Sequence, residues 1–200
     1  MTLGTLIIML KAPVAGNVKT RLGKEVGYGH AAALFRLLTR HTIRRAASPS
    51  WRTILAIDPP SALSGYSTLW PPHFERRAQA RGDLGARMTH AIKTVSTGPI
   101  IIIGADAPGL RPQHIRRAFQ ILSGADAVFG PAEDGGYWLI GLARRRGAPN
   151  LFEKVRWSTA HAYDDTRATL PNEFTVSEID TLSDVDVAAD LPLIGPLSIR

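Results

Sequence analysis

Four consecutive isoleucines, Ile100 to Ile103, stand between Pro99 and Gly104. No other feature restricts the fold of this chain as strongly. A β-branched run without a polar member reads as a strand, and one without alternation is covered on both faces. Residues 5–10 repeat the pattern through Leu6, Ile7, Ile8, Met9 and Leu10. Strands covered on both faces need helices on both sides of the sheet, which predicts an α/β sandwich around a mostly parallel sheet.

The helices are legible between the strands. Ala31, Leu34, Phe35 and Leu38 follow the i, i+3, i+4, i+7 spacing of one helix face. Asp83 is placed to cap a helix carrying Leu84, Met88, Ala91, Ile92 and Val95. Pro112 opens another, with Ile115, Ala118, Phe119 and Leu122 on one side. Ser158 is expected to cap a last helix running to about Leu170. Further strands are expected over residues 53–57, 74–80, 127–130, 137–142 and 174–179. Residues 11–29 hold Pro13, Gly16, Gly23, Gly27 and Gly29 and read as loop.

With 200 residues the expected organisation is a single domain over 1–200. A hydrophobic share of 44% against 20% charged residues excludes global disorder. No apolar run approaches the ~20 residues of a membrane span. No export signal is visible, and Cys is absent. That absence excludes disulfides, thiolate zinc and a cysteine nucleophile, and the expected compartment is the cytoplasm.

Lys and Arg number 24 against 17 Asp and Glu, a net charge of +7. The signs are segregated. Residues 1–52 carry nine cations and one acid, Glu25, whereas residues 168–199 carry six acids and no cation. Segments of opposite sign in one domain suit an anionic ligand held together with a cation as well as they suit a DNA surface. A basic nucleic-acid module would instead spread cations over a face with stacking aromatics, and the four Trp residues are scattered.

Ligands of open α/β sheets bind beyond the carboxyl ends of the strands. After the first strand come Lys11, Lys19 and Arg21, in Lys11-Ala12-Pro13-Val14-Ala15-Gly16-Asn17-Val18-Lys19-Thr20-Arg21-Leu22. Gly16 lets backbone approach an oxyanion, and in an extended loop Lys19 and Arg21 would point the same way toward one polyphosphate. The segment lacks the glycine spacing of a P-loop, and Gly27-Tyr28-Gly29 lacks that of a dinucleotide fingerprint.

After the isoleucine strand comes Asp106. It is either a turn residue or a ligand for Mg²⁺ or Mn²⁺, which take one or two carboxylates together with substrate phosphates. Glu133, Asp134 or Asp186 could supply a second carboxylate. Glu133-Asp134-Gly135-Gly136 is a hairpin turn by composition, and it would also hold carboxylates over an acceptor, with Tyr137 beside them. Trp157 reads as a buried aromatic before a helix cap, and Arg144-Arg145-Arg146 as a solvated turn.

Six blocks in order resemble one known family. They are the first loop from Lys11 to Leu22; Gly82-Asp83-Leu84-Gly85-Ala86-Arg87; Ile103-Gly104-Ala105-Asp106-Ala107-Pro108-Gly109-Leu110; Gly130-Pro131-Ala132-Glu133-Asp134-Gly135-Gly136-Tyr137; Trp157-Ser158-Thr159; and Asp184-Val185-Asp186 with Asp190-Leu191. The chain resembles bacterial glycosyltransferase-A-like proteins, a domain of unknown function within the nucleotide-diphospho-sugar transferase superfamily. The tail and first loop also look like those of guanylyltransferases acting on phospholactate. The resemblance implies a single GT-A, Rossmann-like three-layer sandwich with a mostly parallel mixed sheet.

It further implies a divalent-metal-dependent transferase, moving a nucleotidyl group from a nucleoside triphosphate or a glycosyl group from a nucleotide sugar to a small-molecule acceptor. On that analogy Lys11, Pro13, Gly16, Lys19, Arg21, Gly82, Asp83 and Arg87 bind the nucleotide. Asp106 and Asp186 hold Mg²⁺ or Mn²⁺, and Lys19, Arg21, Asp106 and Asp134 are catalytic. The alternatives are a nucleotide sensor without turnover and a basic nucleic-acid-binding module. The chain departs from the pattern where Ala105-Asp106-Ala107 replaces the usual Ser-Asp-Cys and Asp186-Val187 the usual Asp-Thr. Pro108 also removes the Asp-x-Asp pair of many GT-A enzymes.

Overall fold

The computed structural model describes residues 4–66, 68–95, 98–147 and 150–197. Seven strands form one sheet: β1 (Thr5–Lys11), β2 (Arg52–Asp58), β3 (Glu75–Ala78), β4 (Ile100–Ile103), β5 (Ala127–Pro131), β6 (Tyr137–Leu142) and β7 (Val176–Glu178). Their order is β3-β2-β1-β4-β6-β5-β7. β6 runs antiparallel to β4 and β5, and every other pairing is parallel. The expected mostly parallel mixed sheet is therefore present.

Both faces of the central strands are covered, as the isoleucine run demands. Ile101 and Ile103 point into one core with Leu6, Ile8 and Leu10, beneath α2 (Tyr28–Ala46) and α4 (Pro112–Ile121). Ile100 and Ile102 point into a second core with Ile7, beneath α3 (Leu84–Lys93) and α5 (Ala162–Ala168). The period-2 pleat assigns alternate residues to opposite layers, and each of the four isoleucines is at most 3% exposed. Each such burial stabilises the fold by about 1.5–3 kcal/mol. Among the described residues no helix is long and apolar enough to cross a membrane.

Three local expectations are corrected. Residues 11–29 are not all loop, because α1 occupies Thr20–Val26 and α2 starts at Tyr28. Gly23 read as a breaker, yet a Cβ there would lie 2.4 Å from the Tyr28 ring, so its lack of a side chain lets α2 close onto α1. Leu22 then packs with Ala31, Leu38, Val185 and Ile194, and this tertiary contact outweighs the low propensity.

Ser158 does not cap α5. It has φ +60°, and the helix starts after His161 with no side-chain cap. Nor is the arginine triplet merely solvated. Arg145 donates to the carbonyls of Leu122 and Ala125 at 2.7 and 2.8 Å, satisfying the end of α4.

Candidate functional site

The parallel register brings the carboxyl ends of β1, β2 and β4 to one edge. Lys11 pairs with Asp58, and Ile8 with Ile103. Asp106 follows β4 between Ala105 and Ala107, both buried in the core under α2 and α4. These two small apolar anchors fix the turn and leave the aspartate at the surface. Its side chain folds back over Gly104, where a Cβ would lie 2.9 Å from Oδ1.

Lys19 arrives from the loop that follows β1. Val18 anchors its loop in a cluster with Ala32 and Phe35 of α2. Lys19 itself adopts the left-handed conformation, φ 45° and ψ 50°, at the head of α1. That backbone turns its side chain inward, where it is only 6% exposed. Its ammonium donates to Asp106 Oδ2 at 3.0 Å and to Asp186 Oδ1 at 2.7 Å. Burial acts to lower the pKa of this ammonium, but the two carboxylates outweigh it and hold the group well above the usual lysine range. Arg21, on α1, places Nη1 3.7 Å from Asp186 Oδ2 and is largely exposed. The expectation that Lys19 and Arg21 project alike from an extended loop is thereby corrected. One is a left-handed residue and the other is helical, and Asp186 is their common neighbour.

Asp186 is positioned by the tail. Val185 is fully buried against Leu22 and Leu38. Asp190 Oδ2 accepts the backbone N–H groups of Asp186 and Val187 at 2.8 and 2.9 Å. Asp190 was legible only as part of a sequence block; its role in holding the Asp186 backbone needed the fold.

A second group lies on the same edge. Arg87 donates through Nε to the Gly82 carbonyl at 2.9 Å and through Nη1 to Asp58 Oδ2 at 2.9 Å and Gln79 Oε1 at 3.3 Å. Gln79 Nε2 in turn donates to the carbonyls of Leu10 and Ala56, both at 2.9 Å. Residues 82–87 are thus tied to the ends of β1 and β2. Asp83 accepts the Ala86 N–H at 2.8 Å and caps α3 as expected. Asp58 and Gln79 escaped sequence reasoning, because Asp58-Pro59-Pro60 carries a strand-stop signal and Gln79 carries none. Lys11 and Gly16 are exposed and Pro13 is buried. Gly16 has φ +83° with open space on its Cβ side.

The acidic wall comes from the turn after β5 and from the tail. Asp134 Oδ1 accepts the Gly136 N–H at 2.8 Å, and Glu133 accepts from Ser183 at 2.7 Å. Asp184 is pushed up to about 6, first by burial and then by Asp106 and Asp186, with Lys19 opposing and Asp134 adding to the rise. Tyr137 does not serve this wall. Its ring packs edge-on against Phe129, 5.5 Å between centroids, and its hydroxyl accepts from Thr166. Burial of the phenol raises its pKa. Trp157 packs on Phe152 and beneath Gly85, where a Cβ would lie 3.0 Å from the indole ring.

The raised Asp184 carries a pH prediction. The folded state disfavours its ionised form, so it destabilises the protein at pH values above about 6. The penalty fades as pH falls from that value toward the ordinary aspartate range. Asp184→Asn is expected to raise the melting temperature at pH 7.5 in chelator-treated buffer and to lose this advantage near pH 4. Calorimetric scans across that range check it; an advantage independent of pH would assign the effect to packing instead.

What can two carboxylates joined by one ammonium do? Asp106 and Asp186 both reach a single cation, and their oxygens are hard ligands. That donor set fits Mg²⁺ or Mn²⁺ bound through one or two carboxylates with phosphate and water completing the shell. Among the described residues no three His, Asp or Glu side chains form a complete cage.

The family whose members are described as uncharacterized protein conserved in bacteria (DUF2064) matches residues 42–159, more than half of the chain. The chain belongs to this DUF2064 family. The matched span contains residues 82–87, Asp106 and Asp134, while Lys19 and Asp186 lie on either side of it.

The DUF2064 chain superposes on a Desulfovibrio desulfuricans G20 protein provisionally named a nucleotide-diphospho-sugar transferase. The TM-score is 0.86 and the identity 29%, over 97% of this chain and 87% of that one. It shares its fold with CMP:2-keto-3-deoxy-manno-octonic acid synthetase complexed with CTP, at TM-score 0.63 and 12% identity over 98% of both chains. The fold also matches a Mycobacterium tuberculosis H37Rv protein in complex with manganese, at TM-score 0.54 and 18% identity, over 96% of this chain and 97% of that one. No curated protein matches the chain.

Proposed function

We propose that this protein is a divalent-metal-dependent transferase that uses a nucleotide donor. The observation that carries the reading is the convergence of Lys19, Asp106 and Asp186, from three distant stretches, on one point at the carboxyl edge of the sheet. The likeness in fold to a nucleotide-diphospho-sugar transferase and to a CTP-bound synthetase supports the same class.

In this reading Asp106 and Asp186 hold the ion. Such an ion would supply Lewis-acid neutralisation of the charge that develops on the donor phosphate oxygens as the leaving group departs. Lys19, Arg21 and Lys11 neutralise the same oxygens. Pro13, Gly16 and the segment carrying Gly82, Asp83 and Arg87 receive the nucleotide. Asp134, presented on its turn beside Glu133, faces the acceptor and takes the proton of its hydroxyl.

The acidic wall suits a neutral hydroxyl acceptor better than a phosphorylated one, because like charges repel. Such an acceptor can attack a sugar C1, with a nucleoside diphosphate leaving. A second reading rests on the three cations of the first loop and α1, which suit a triphosphate. There the acceptor attacks the α-phosphorus and pyrophosphate leaves.

Thermal-shift measurements with nucleoside triphosphates and nucleotide sugars, with and without Mn²⁺, test the proposal. A saturating correct donor is expected to raise the melting temperature by about 5 °C or more, only with the metal. Product analysis then separates nucleoside diphosphate from pyrophosphate. Failure of every nucleotide to stabilise the protein would end the reading.

A further inference from the structure

We infer that Lys19 is the resident counter-ion of the Asp106–Asp186 pair and that a divalent cation binds there only by displacing its ammonium, which then turns to the donor phosphates. The inference rests on the proposed role of the two aspartates as ion ligands and adds a gate to it. The ammonium lies 3.0 Å from one carboxylate and 2.7 Å from the other. An ion held by both carboxylates would take the place between them that the ammonium occupies, so ammonium and ion compete for it.

The lysine is not loosely paired. It is nearly buried, whereas the aspartates are each 38% exposed. Bulk water therefore offers it little compensation for lost carboxylates, and a buried unpaired charge is costly. Donor phosphates provide the replacement partner. The flexible stem of lysine lets one point charge change partners without moving the backbone.

Two consequences follow. Without nucleotide, the metal competes with an internal cation and binds weakly. With nucleotide, Lys19 gains oxyanions as the metal gains carboxylates, so each ligand strengthens the other's binding by the same factor. The gate couples donor and ion without any domain movement. Arg21 takes no such part, being largely exposed and 3.7 Å from Asp186.

Direct Mn²⁺ binding to the full chain, followed by electron paramagnetic resonance in the absence of nucleotide, tests this. Lys19→Met is expected to bind Mn²⁺ about tenfold more tightly than wild type, within the ordinary range of binding couplings. Lys19→Arg, which retains a cation, and Arg21→Ala, which removes only a neighbouring one, are expected to shift affinity by less than about threefold. If Lys19→Met binds no more tightly than wild type, or Arg21→Ala tightens binding as much, the displacement is refuted.

The wild type provides a test that needs no substitution. The chain has five lysines, and their ammonium groups can be followed by nitrogen-15 spectroscopy. Addition of Mg²⁺ is expected to move the Lys19 signal, and a Lys19 signal unchanged at saturation overturns the inference. Asp106→Asn separates the two levels of argument. If it leaves Mn²⁺ affinity intact, the ion is elsewhere, and both the gate and the metal assignment fail. If it abolishes binding while Lys19→Met has no effect, only the gate fails.

Discussion

Asp106→Ala is expected to eliminate metal-dependent donor binding and to lower kcat/KM by at least about 10²–10³, the loss typical of removing one preorganised electrostatic stabiliser. In the proposed mechanism the side chain would contribute a hard ligand where the leaving group gains charge. Asp186 approaches from the tail and already faces the same cation. Asp134 sits on a separate turn, bonded to the Gly136 N–H.

The fold should survive the change. Asp106 is 38% exposed, and Lys19 keeps Asp186 as a partner. The stability loss is expected to be about 1–3 kcal/mol, the cost of one charged hydrogen bond. Parallel measurement of melting temperature and of Mn²⁺-dependent nucleotide stabilisation separates the two effects. A folded Asp106→Ala protein that retains both metal dependence and turnover would show that the reactive centre lies elsewhere.

The second large effect is expected at Gly135→Ala. Gly135 has φ +84°, a conformation that disfavours a side chain, and an added Cβ would lie 2.3 Å from the Ala160 carbonyl oxygen. Two backbone segments meet there without room for a methyl group. Strain at that φ and forced separation of the segments together are expected to destabilise the protein by about 3 kcal/mol. Functional loss should exceed the loss of folded protein. The Gly135 carbonyl accepts the Tyr163 N–H at 3.0 Å, so the turn carrying Glu133 and Asp134 is set by this contact. Denaturant titration gives the stability term, and KM for the acceptor reports the displaced wall. A variant with wild-type stability would refute the close approach.

The residues themselves disclosed much of this architecture. The isoleucine run and residues 5–10 marked the central strands, and helix periodicity marked α2, α3 and α4. Those elements are legible because a buried strand or an amphipathic helix writes its surroundings into local spacing. α1 was not legible. Its seven residues include Gly23, and the stabilising contacts come from α2 and from Val185 and Ile194. The cap of α5 was misplaced, since Ser158 has φ +60° and the helix starts only after His161.

For the site, residue type and position after a strand were enough to nominate Lys19 and Asp106, whereas Asp186 was one of three candidate second carboxylates until the family resemblance singled it out. Their separation along the chain says nothing of geometry. The fold decided that Lys19 lies between the two aspartates, that Asp190 fastens the backbone of Asp186, and that Gln79 and Asp58 secure Arg87. It also withdrew Tyr137 from the acceptor wall into the core. Short-range pattern determined which elements form, because the period of apolar residues along a strand or helix is set by local backbone geometry. Only the tertiary structure decided which charges meet. Coulomb attraction and hydrogen bonding act through distance in space, and that distance is fixed by how the sheet orders its strands.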